Sequence, residues 1–188
     1  MVDTLRGHKH HINGLKFGAN SSNLCSVSSD LTLKVWDVGQ RGLIETFHEH
    51  TREVLDVDCF NANDFLTSGS DHQVIAWKTE KETKVIFKGH DYPIDRVRTI
   101  NSERFVTACQ DGSINLWHTR KIKPVFKLPA AHPKGWISAM DNLNQTNILA
   151  TAGVDRTVKL WGIEGESKGL NLLKEIEVSG IVTDLKLR

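Results

Sequence analysis

Residues 151–162 have the sequence TAGVDRTVKLWG, and three earlier segments of the chain repeat its layout. They are SVSSDLTLKVWD at residues 26–37, TSGSDHQVIAWK at 67–78 and TACQDGSINLWH at 107–118. Their tryptophans, Trp36, Trp77, Trp117 and Trp161, are 41, 40 and 44 residues apart. A repeat of this length is typical of a β-propeller blade, which has four strands.

Each repeat also contains the same four polar or aromatic positions. An aspartate stands six residues before each tryptophan, and a hydroxyl residue stands four residues before each aspartate. A histidine precedes each aspartate by 21 to 23 residues. The resulting quartets are His8, Ser26, Asp30 and Trp36; His50, Thr67, Asp71 and Trp77; His90, Thr107, Asp111 and Trp117; and His132, Thr151, Asp155 and Trp161.

The quartets resemble the tetrads of the WD40 repeat family. In that family the indole N–H reaches the hydroxyl, the hydroxyl meets the imidazole, and the imidazole meets the aspartate of a turn. A buried network of this kind stabilises a fold only when every member has a partner. Because the His–Asp pairs recur four times, a structural role is favoured over a catalytic dyad. No nucleophile–base pair lies outside the quartets, so we expect no enzymatic activity and no cofactor.

Alternating apolar and polar residues predict four full blades at residues 12–47, 54–87, 94–128 and 136–176. Residues 2–5 are predicted as the outer strand of a preceding blade, and residues 181–187 as the inner strand of a following one. The fold class is therefore an all-β WD40 propeller in one partial domain, 1–188, with about four and a half of seven blades. The alternatives are a shortened chain and a chain that completes its ring by pairing with another.

Composition narrows the function classes. The net charge is +1 and the pI is about 7.8, so any contact with nucleic acid needs a local basic patch. Cys25, Cys59 and Cys109 lie in predicted strands without metal-type spacing, which indicates buried thiols and a reducing compartment. The sequence also predicts neither a membrane span nor a signal peptide.

The N-terminal histidines His8, His10 and His11 superficially indicate a metal site. However, His8 already belongs to a quartet, and no acidic or thiol ligand stands nearby in the sequence. We therefore predict no metal there.

The third and fourth repeats carry a more specific resemblance. Residues 90–117 have the sequence HDYPIDRVRTINSERFVTACQDGSINLW, and residues 169–188 have the sequence GLNLLKEIEVSGIVTDLKLR. The fourth blade opens with Trp136-Ile137-Ser138 without a preceding Gly-His. From about His8 to Leu187, the chain resembles the WD-repeat proteins of the U3 small nucleolar ribonucleoprotein.

This resemblance implies a scaffold that binds the box B/C region of U3 small nucleolar RNA during precursor ribosomal RNA processing. The implied partners are that RNA, the small RNA-binding protein of the box B/C site and other ribonucleoprotein components, with no membrane and no small-molecule substrate. The implied location is the nucleolus within the nucleus. The alternative is a WD40 adapter that docks a peptide on the propeller rim, with the cytoplasm as the alternative location.

The candidate contacts follow from blade geometry. The quartet histidines and aspartates should lie on one rim of the propeller, where loops on a rigid scaffold commonly bind partners. On this rim we expect Lys9, His10, His11, Arg52, Lys88, Tyr92, Lys134 and Arg156, with Arg96 and Arg98 near the central channel.

A second candidate set lies in residues 118–134, which contain Arg120, Lys121, Lys123, Lys127 and Lys134 but no acidic residue. Such a stripe would contact phosphates without distinguishing base sequence. Tyr92 or Trp136 could stack on an unpaired base. Alternatively, Lys123 and Lys127 protect an exposed strand edge from pairing, and Trp136 fills the core where its blade begins.

Overall fold

The computed structural model describes residues 4–143, 146–165 and 169–187, which form four antiparallel sheets of four strands each. Blades 1 and 2 contain β1 (Ile12–Phe17), β2 (Asn23–Ser28), β3 (Thr32–Asp37), β4 (Gly42–His48), β5 (Val54–Cys59), β6 (Asp64–Gly69), β7 (Val74–Lys78) and β8 (Thr83–Phe87). Blades 3 and 4 contain β9 (Ile94–Thr99), β10 (Arg104–Cys109), β11 (Ile114–His118), β12 (Phe126–Leu128), β13 (Ile137–Asn142), β14 (Ile148–Gly153), β15 (Thr157–Glu164) and β16 (Gly169–Glu177). The predicted all-β propeller class is confirmed, and a 3₁₀ turn spans Thr79–Lys81.

Within each blade, consecutive strands are neighbours, so the chain reverses direction at every turn. Turns that follow the first and third strands therefore lie at one end of the blade, and turns that follow the second strand lie at the other. We call the second end, which carries Asp30, Asp71, Asp111 and Asp155, the tetrad rim. The first end is called the opposite rim.

The outer strand of blade 3 is shorter than predicted. The alternation predicts a strand over Lys123–Leu128, but β12 begins at Phe126. Pro124 has no N–H to donate to the sheet, which explains why the regular ladder begins after it. Val125 N still donates to Leu116 O at 2.9 Å, so the chain reaches the edge of the sheet just before β12.

The apolar core lies between neighbouring blades. Val57 and Phe65 of blade 2 pack against Cys25 and Val35 of blade 1 in one cluster, and similar clusters join blades 2 and 3 and blades 3 and 4. Burial raises the pKa of the Cys25 thiol well above its ordinary value. Packing between neighbouring blades thus contributes to the stability of each blade, as expected for a repeat architecture.

The inner strand of blade 1 has an exposed apolar face. Ile12, Leu15 and Phe17 of β1 are 53%, 60% and 54% exposed. Val54 and Val57, which hold the positions of Ile12 and Leu15 in blade 2, are 0% and 3% exposed because blade 1 covers them. The described residues therefore form an open propeller.

Neither of the two predicted leftover strands is formed in the residues that the structure describes. Thr4 and Leu5 have no strand conformation, and the rest of the predicted strand 2–5 lies outside the described residues. Residues 181–187 also lack strand structure, because no described segment forms a β-ladder with them.

Residues 181–187 nevertheless lie beside blade 4 in the position of the next inner strand. Ser138 Oγ donates to Val182 O at 2.6 Å, and Leu187 N donates to Asp141 Oδ2 at 2.8 Å. The second contact repeats the bond from Thr99 N to Asp58 Oδ2, which joins blades 2 and 3. Among the described residues, no helix has the length and apolar character needed to cross a membrane.

Candidate interaction surface on the tetrad rim

The quartet of blade 1 forms a continuous chain of hydrogen bonds. Trp36 Nε1 donates to Ser26 Oγ at 2.8 Å, and Ser26 Oγ lies 2.7 Å from His8 Nε2. His8 Nδ1 lies 2.9 Å from Asp30 Oδ2. Corresponding chains connect Trp77, Thr67, His50 and Asp71 in blade 2, and Trp161, Thr151, His132 and Asp155 in blade 4.

These networks are closed to solvent. The side chains of His50 and Asp71 are almost fully buried, as are those of His132 and Asp155. Burial raises the pKa of Asp71 and Asp155, but the hydrogen bond and charge attraction from each histidine, together with other hydrogen bonds of the turn, lower the pKa of each carboxyl below its ordinary value. An ionised, enclosed carboxylate with a fixed partner stabilises the fold and offers no surface to a substrate.

Blade 3 differs from the expected quartet. Trp117 Nε1 donates to Thr107 Oγ1 at 3.0 Å, and His90 Nε2 lies 2.9 Å from the same hydroxyl. Asp111, however, accepts bonds from N and Oγ of Ser113 in its own turn and makes no hydrogen bond to His90. The prediction of a fourth complete quartet is therefore wrong at its last bond.

The broken quartet leaves His90 in an unusual state. Its Nδ1 is buried and neither donates a hydrogen bond to a described residue nor accepts one from it. Burial lowers the pKa of His90 to about 3. The imidazole also stacks at a tilt on Trp117, with ring centroids 4.7 Å apart. At neutral pH His90 is thus an uncharged ring held by packing and one hydrogen bond.

The predicted rim residues are exposed around these networks. They are Lys9, His10, His11, Arg52, Lys88, Tyr92, Lys134 and Arg156. In the described part of the chain, the side chains of Lys9, Arg52, Lys134 and Arg156 form no ion pair, so their charges are open to a partner. Nor does any group of three or more described His, Cys, Asp or Glu residues have a geometry that could hold a metal.

The basic stripe in residues 118–134 does not form one surface. Arg120, Lys121 and Lys123 follow β11 at the opposite rim, whereas Lys134 lies near His132 on the tetrad rim. The stripe also meets acidic residues that are distant in sequence. Arg120 Nη2 lies 2.7 Å from Glu103 Oε1, and Lys127 Nζ lies 3.8 Å from Asp91 and donates to Gly89 O.

The inner strands carry alternating charges towards the channel. Arg98 Nη1 lies 2.6 Å from Asp56 Oδ2, and Lys16 Nζ lies 2.6 Å from Asp58 Oδ1 in the neighbouring blade. Arg98 is therefore already paired and serves to join blades 2 and 3. Arg96 donates to the carbonyl of Asp95 and lines an open pocket on the tetrad rim.

Trp136 lines the same pocket, and its indole is 53% exposed. The interpretation that it fills the core is therefore wrong. The pocket has a volume of about 570 Å³ and also includes Asp95 and Gln110. Neither residue could be predicted from the sequence, because polar side chains on inner strands and turns are common and carry no distinctive spacing.

Comparison with known proteins supports the repeat assignment. The family model of the WD domain, G-beta repeat, matches residues 1–37, 41–78, 81–118 and 122–162. The chain is 27% identical over 199 residues to the U3 snoRNP-associated protein-like EMB2271 of Arabidopsis thaliana, with 98% of this chain and 42% of the relative covered. It is 32% identical over 114 residues to U3 small nucleolar RNA-interacting protein 2 of Homo sapiens, with coverage of 56% and 24%.

A solved structure shows the same fold. The structure of U3-55K matches with a TM-score of 0.93 at 30% sequence identity, over 97% of this chain and 59% of that one. The chain spans less than half the length of the two relatives and somewhat more than half of the solved propeller.

Proposed function

The chain belongs to the WD40 repeat family, and on that premise we propose that it is a non-catalytic scaffold of a U3-type small nucleolar ribonucleoprotein. In this proposal the tetrad rim binds the box B/C region of U3 small nucleolar RNA and adjoining proteins. The names of the Arabidopsis and human relatives and the likeness to U3-55K support the assignment. The proposed location is accordingly the nucleolus.

The choice of the tetrad rim rests on its exposed cations and exposed aromatic rings. Lys9, Arg52, Lys134 and Arg156 are exposed and unpaired within the described residues, and they share the tetrad rim with the exposed rings of Tyr92 and Trp136. Cations supply affinity for phosphates, and exposed rings stack on unpaired bases. Arg120 on the opposite rim is instead paired with Glu103, which weakens its attraction for RNA.

Binding measurements on two matched triple variants would test this proposal. The first reverses charges on the tetrad rim (Lys9→Glu, Arg52→Glu and Lys134→Glu), and the second does so on the opposite rim (Arg120→Glu, Lys121→Glu and Lys123→Glu). Affinity for box B/C RNA and for an unrelated hairpin is measured across a salt series. We expect the first variant to bind at least about tenfold more weakly, with a salt slope reduced by about two to three, because each phosphate contact contributes about 0.7 to 0.9.

The second variant should change affinity by less than about threefold, because it leaves the tetrad rim intact. Equal affinity of the unaltered protein for the two RNAs would overturn the U3 assignment. Salt-insensitive capture of a short peptide in place of RNA would favour the adapter function. A larger loss in the second variant would retain RNA binding but move it to the opposite rim.

The partner proteins are proposed on the same basis. A small RNA-binding protein at the box B/C site would sit beside the bound RNA and contact the same rim. Reconstitution with and without that protein should show tighter binding of the RNA in its presence, and the tetrad-rim variant should lose this gain.

A further inference from the structure

Trp136 occupies a position whose side chain the fold does not require. The corresponding residues, which come directly before each inner strand, are His11, Glu53 and Pro93. In all four blades the backbone carbonyl at this position accepts a hydrogen bond from the turn after the second strand. The donors are the backbone N atoms of Ser29, Ser70, Gln110 and Val154, at 2.9 to 3.2 Å. Since imidazole, carboxylate and pyrrolidine side chains serve equally well, the fold needs only the carbonyl.

The indole of Trp136 therefore needs another explanation. The four quartet tryptophans are no more than 5% exposed, whereas Trp136 is 53% exposed. Exposing a large aromatic ring to water is unfavourable, and such rings are enriched where a partner covers them. The ring lines the pocket of about 570 Å³ between blades 3 and 4, which is within the usual range for a small-ligand site.

The polar groups of this pocket are fixed in position. Gln110 Nε2 donates to Asp95 Oδ1 at 3.1 Å, which orients the carboxylate. Oδ2 of Asp95 accepts no hydrogen bond from any described residue and remains available as an acceptor. Arg96 Nη1 donates to the carbonyl of Asp95 at 2.9 Å, which places a cation at the same pocket.

We propose that this pocket binds a single unpaired RNA nucleotide whose base carries an exocyclic amino group. The base stacks on Trp136, its amino group donates to Asp95 Oδ2, and Arg96 attracts the phosphate. Uracil is disfavoured because a carbonyl oxygen stands where cytosine carries its amino group, which leaves only the ring N3–H to donate to the Asp95 carboxylate. A cationic peptide side chain is disfavoured because Arg96 would repel it. The inference rests on the proposed RNA-binding function and names the base class that one site selects.

The exposed indole itself provides the measurement. Cytidine and uridine hexanucleotides are titrated into the protein while tryptophan fluorescence is followed, since the other four indoles are buried. We expect cytidine to quench the fluorescence and to bind about tenfold more tightly than uridine, the scale of one hydrogen bond to a charged group. Trp136→His, the residue that blade 1 uses, lacks the reporting indole, so its affinity is measured by titration calorimetry; we expect binding to be about tenfold weaker, the scale of one stacked base.

Two further variants separate the roles. Asp95→Asn has both a donor and an acceptor, so it should remove the preference for cytidine while leaving the quench. Glu53→Ala, at the position of Trp136 in blade 2, is the matched control and should leave both properties unchanged. The thermal unfolding midpoint of each variant shows whether the propeller is intact.

The outcomes distinguish this inference from the proposed function. If Trp136→His binds cytidine as tightly as the unaltered protein, the pocket assignment is overturned, whatever the affinity for box B/C RNA. If an arginine-rich peptide quenches Trp136 and the hexanucleotides do not, it is likewise overturned. If the quench and the base preference depend on Trp136 and Asp95 but box B/C RNA binds no better than the hairpin, the pocket stands and the U3 assignment fails.

Discussion

Blades 2 and 3 contain the same four quartet residues, yet only blade 2 completes the hydrogen-bond chain. In blade 2 the imidazole of His50 lies 2.9 Å from the carboxylate of Asp71, whereas in blade 3 the chain ends at His90. Both turns have a left-handed residue directly after the aspartate, since His72 and Gly112 have φ values of 64° and 76°.

The residue after the quartet histidine is one difference between the two blades. In blade 2, Thr51 N donates to Asp71 Oδ2 at 3.0 Å and helps to hold the carboxylate near the imidazole. In blade 3 this position is Asp91, which lines the same cavity of about 120 Å³ as Asp111. Two carboxylates that share a small cavity repel each other, so Asp91 makes this part of blade 3 less favourable for a second negative charge. Identical spacing in the sequence thus does not guarantee identical bonding.

The largest expected effect is on folding stability. Asp71→Ala would leave His50 Nδ1 and Thr51 N without their shared acceptor, which should lower the free energy of unfolding by about 2 to 4 kcal/mol. Asp111→Ala would remove only the bonds within its own turn and should cost about 1 kcal/mol or less. Urea unfolding of both variants at neutral pH measures the difference. Equal losses would show that Asp111 contributes to the network in solution.

The next effect concerns pH. His90 has a folded-state pKa of about 3 against 6.5 in a model peptide, so between these values the unfolded state binds more protons. The stability that His90 contributes is therefore complete above about pH 6.5 and is lost as the pH falls towards 3. His90→Gln should flatten the dependence of unfolding free energy on pH in this window by up to about 1.4 kcal/mol per pH unit.

The control for this measurement is His10→Gln, which replaces an exposed histidine on the same rim and should leave the slope unchanged. An unchanged slope in His90→Gln would mean that the pKa of His90 in the folded state lies near its value in the unfolded state. That result would place the carboxylate of Asp111 beside the imidazole, as in blade 2.

The smallest expected effect is on the hydrogen exchange of one backbone amide in each loop. Thr51 N donates to Asp71, whereas Asp91 N makes no hydrogen bond among the described residues. The amide of Asp91 should exchange with solvent hydrogen about fivefold faster than the amide of Thr51, since one hydrogen bond of about 1 kcal/mol separates them. Hydrogen exchange followed by NMR measures both rates in one sample. Similar rates would indicate that the two loops are held equally well.

Much of the architecture could be predicted because the relevant signals are local. The bounds of β1, β2 and β5 agree with the alternation of apolar and polar residues, since neighbours two positions apart share one face of a strand. Prediction was poorer where a single residue interrupts the ladder, as Pro124 does before β12. It failed for residues 181–187, because their register beside blade 4 comes from side-chain contacts and not from strand pairing.

The candidate contacts were harder to predict. All the basic residues expected on the tetrad rim are exposed, because every blade places equivalent loops at the same end. The stripe in residues 118–134 is divided between two rims, since a strand lies between Lys123 and Lys134. Asp95 and Gln110 became candidates only when the fold brought them together with Trp136 at one pocket.

The sequence alone determined the repeat, the fold class and the identity of the quartets, because a period of 40 to 44 residues and fixed spacings within it are properties of one chain segment at a time. Only the tertiary structure decided which quartet closes, which charges are neutralised and which aromatic ring remains exposed. These outcomes depend on pairs that lie far apart in sequence, such as Glu103 with Arg120 and Asp95 with Trp136. Coulombic attraction and burial depend on distance in space, which the linear order of residues does not specify.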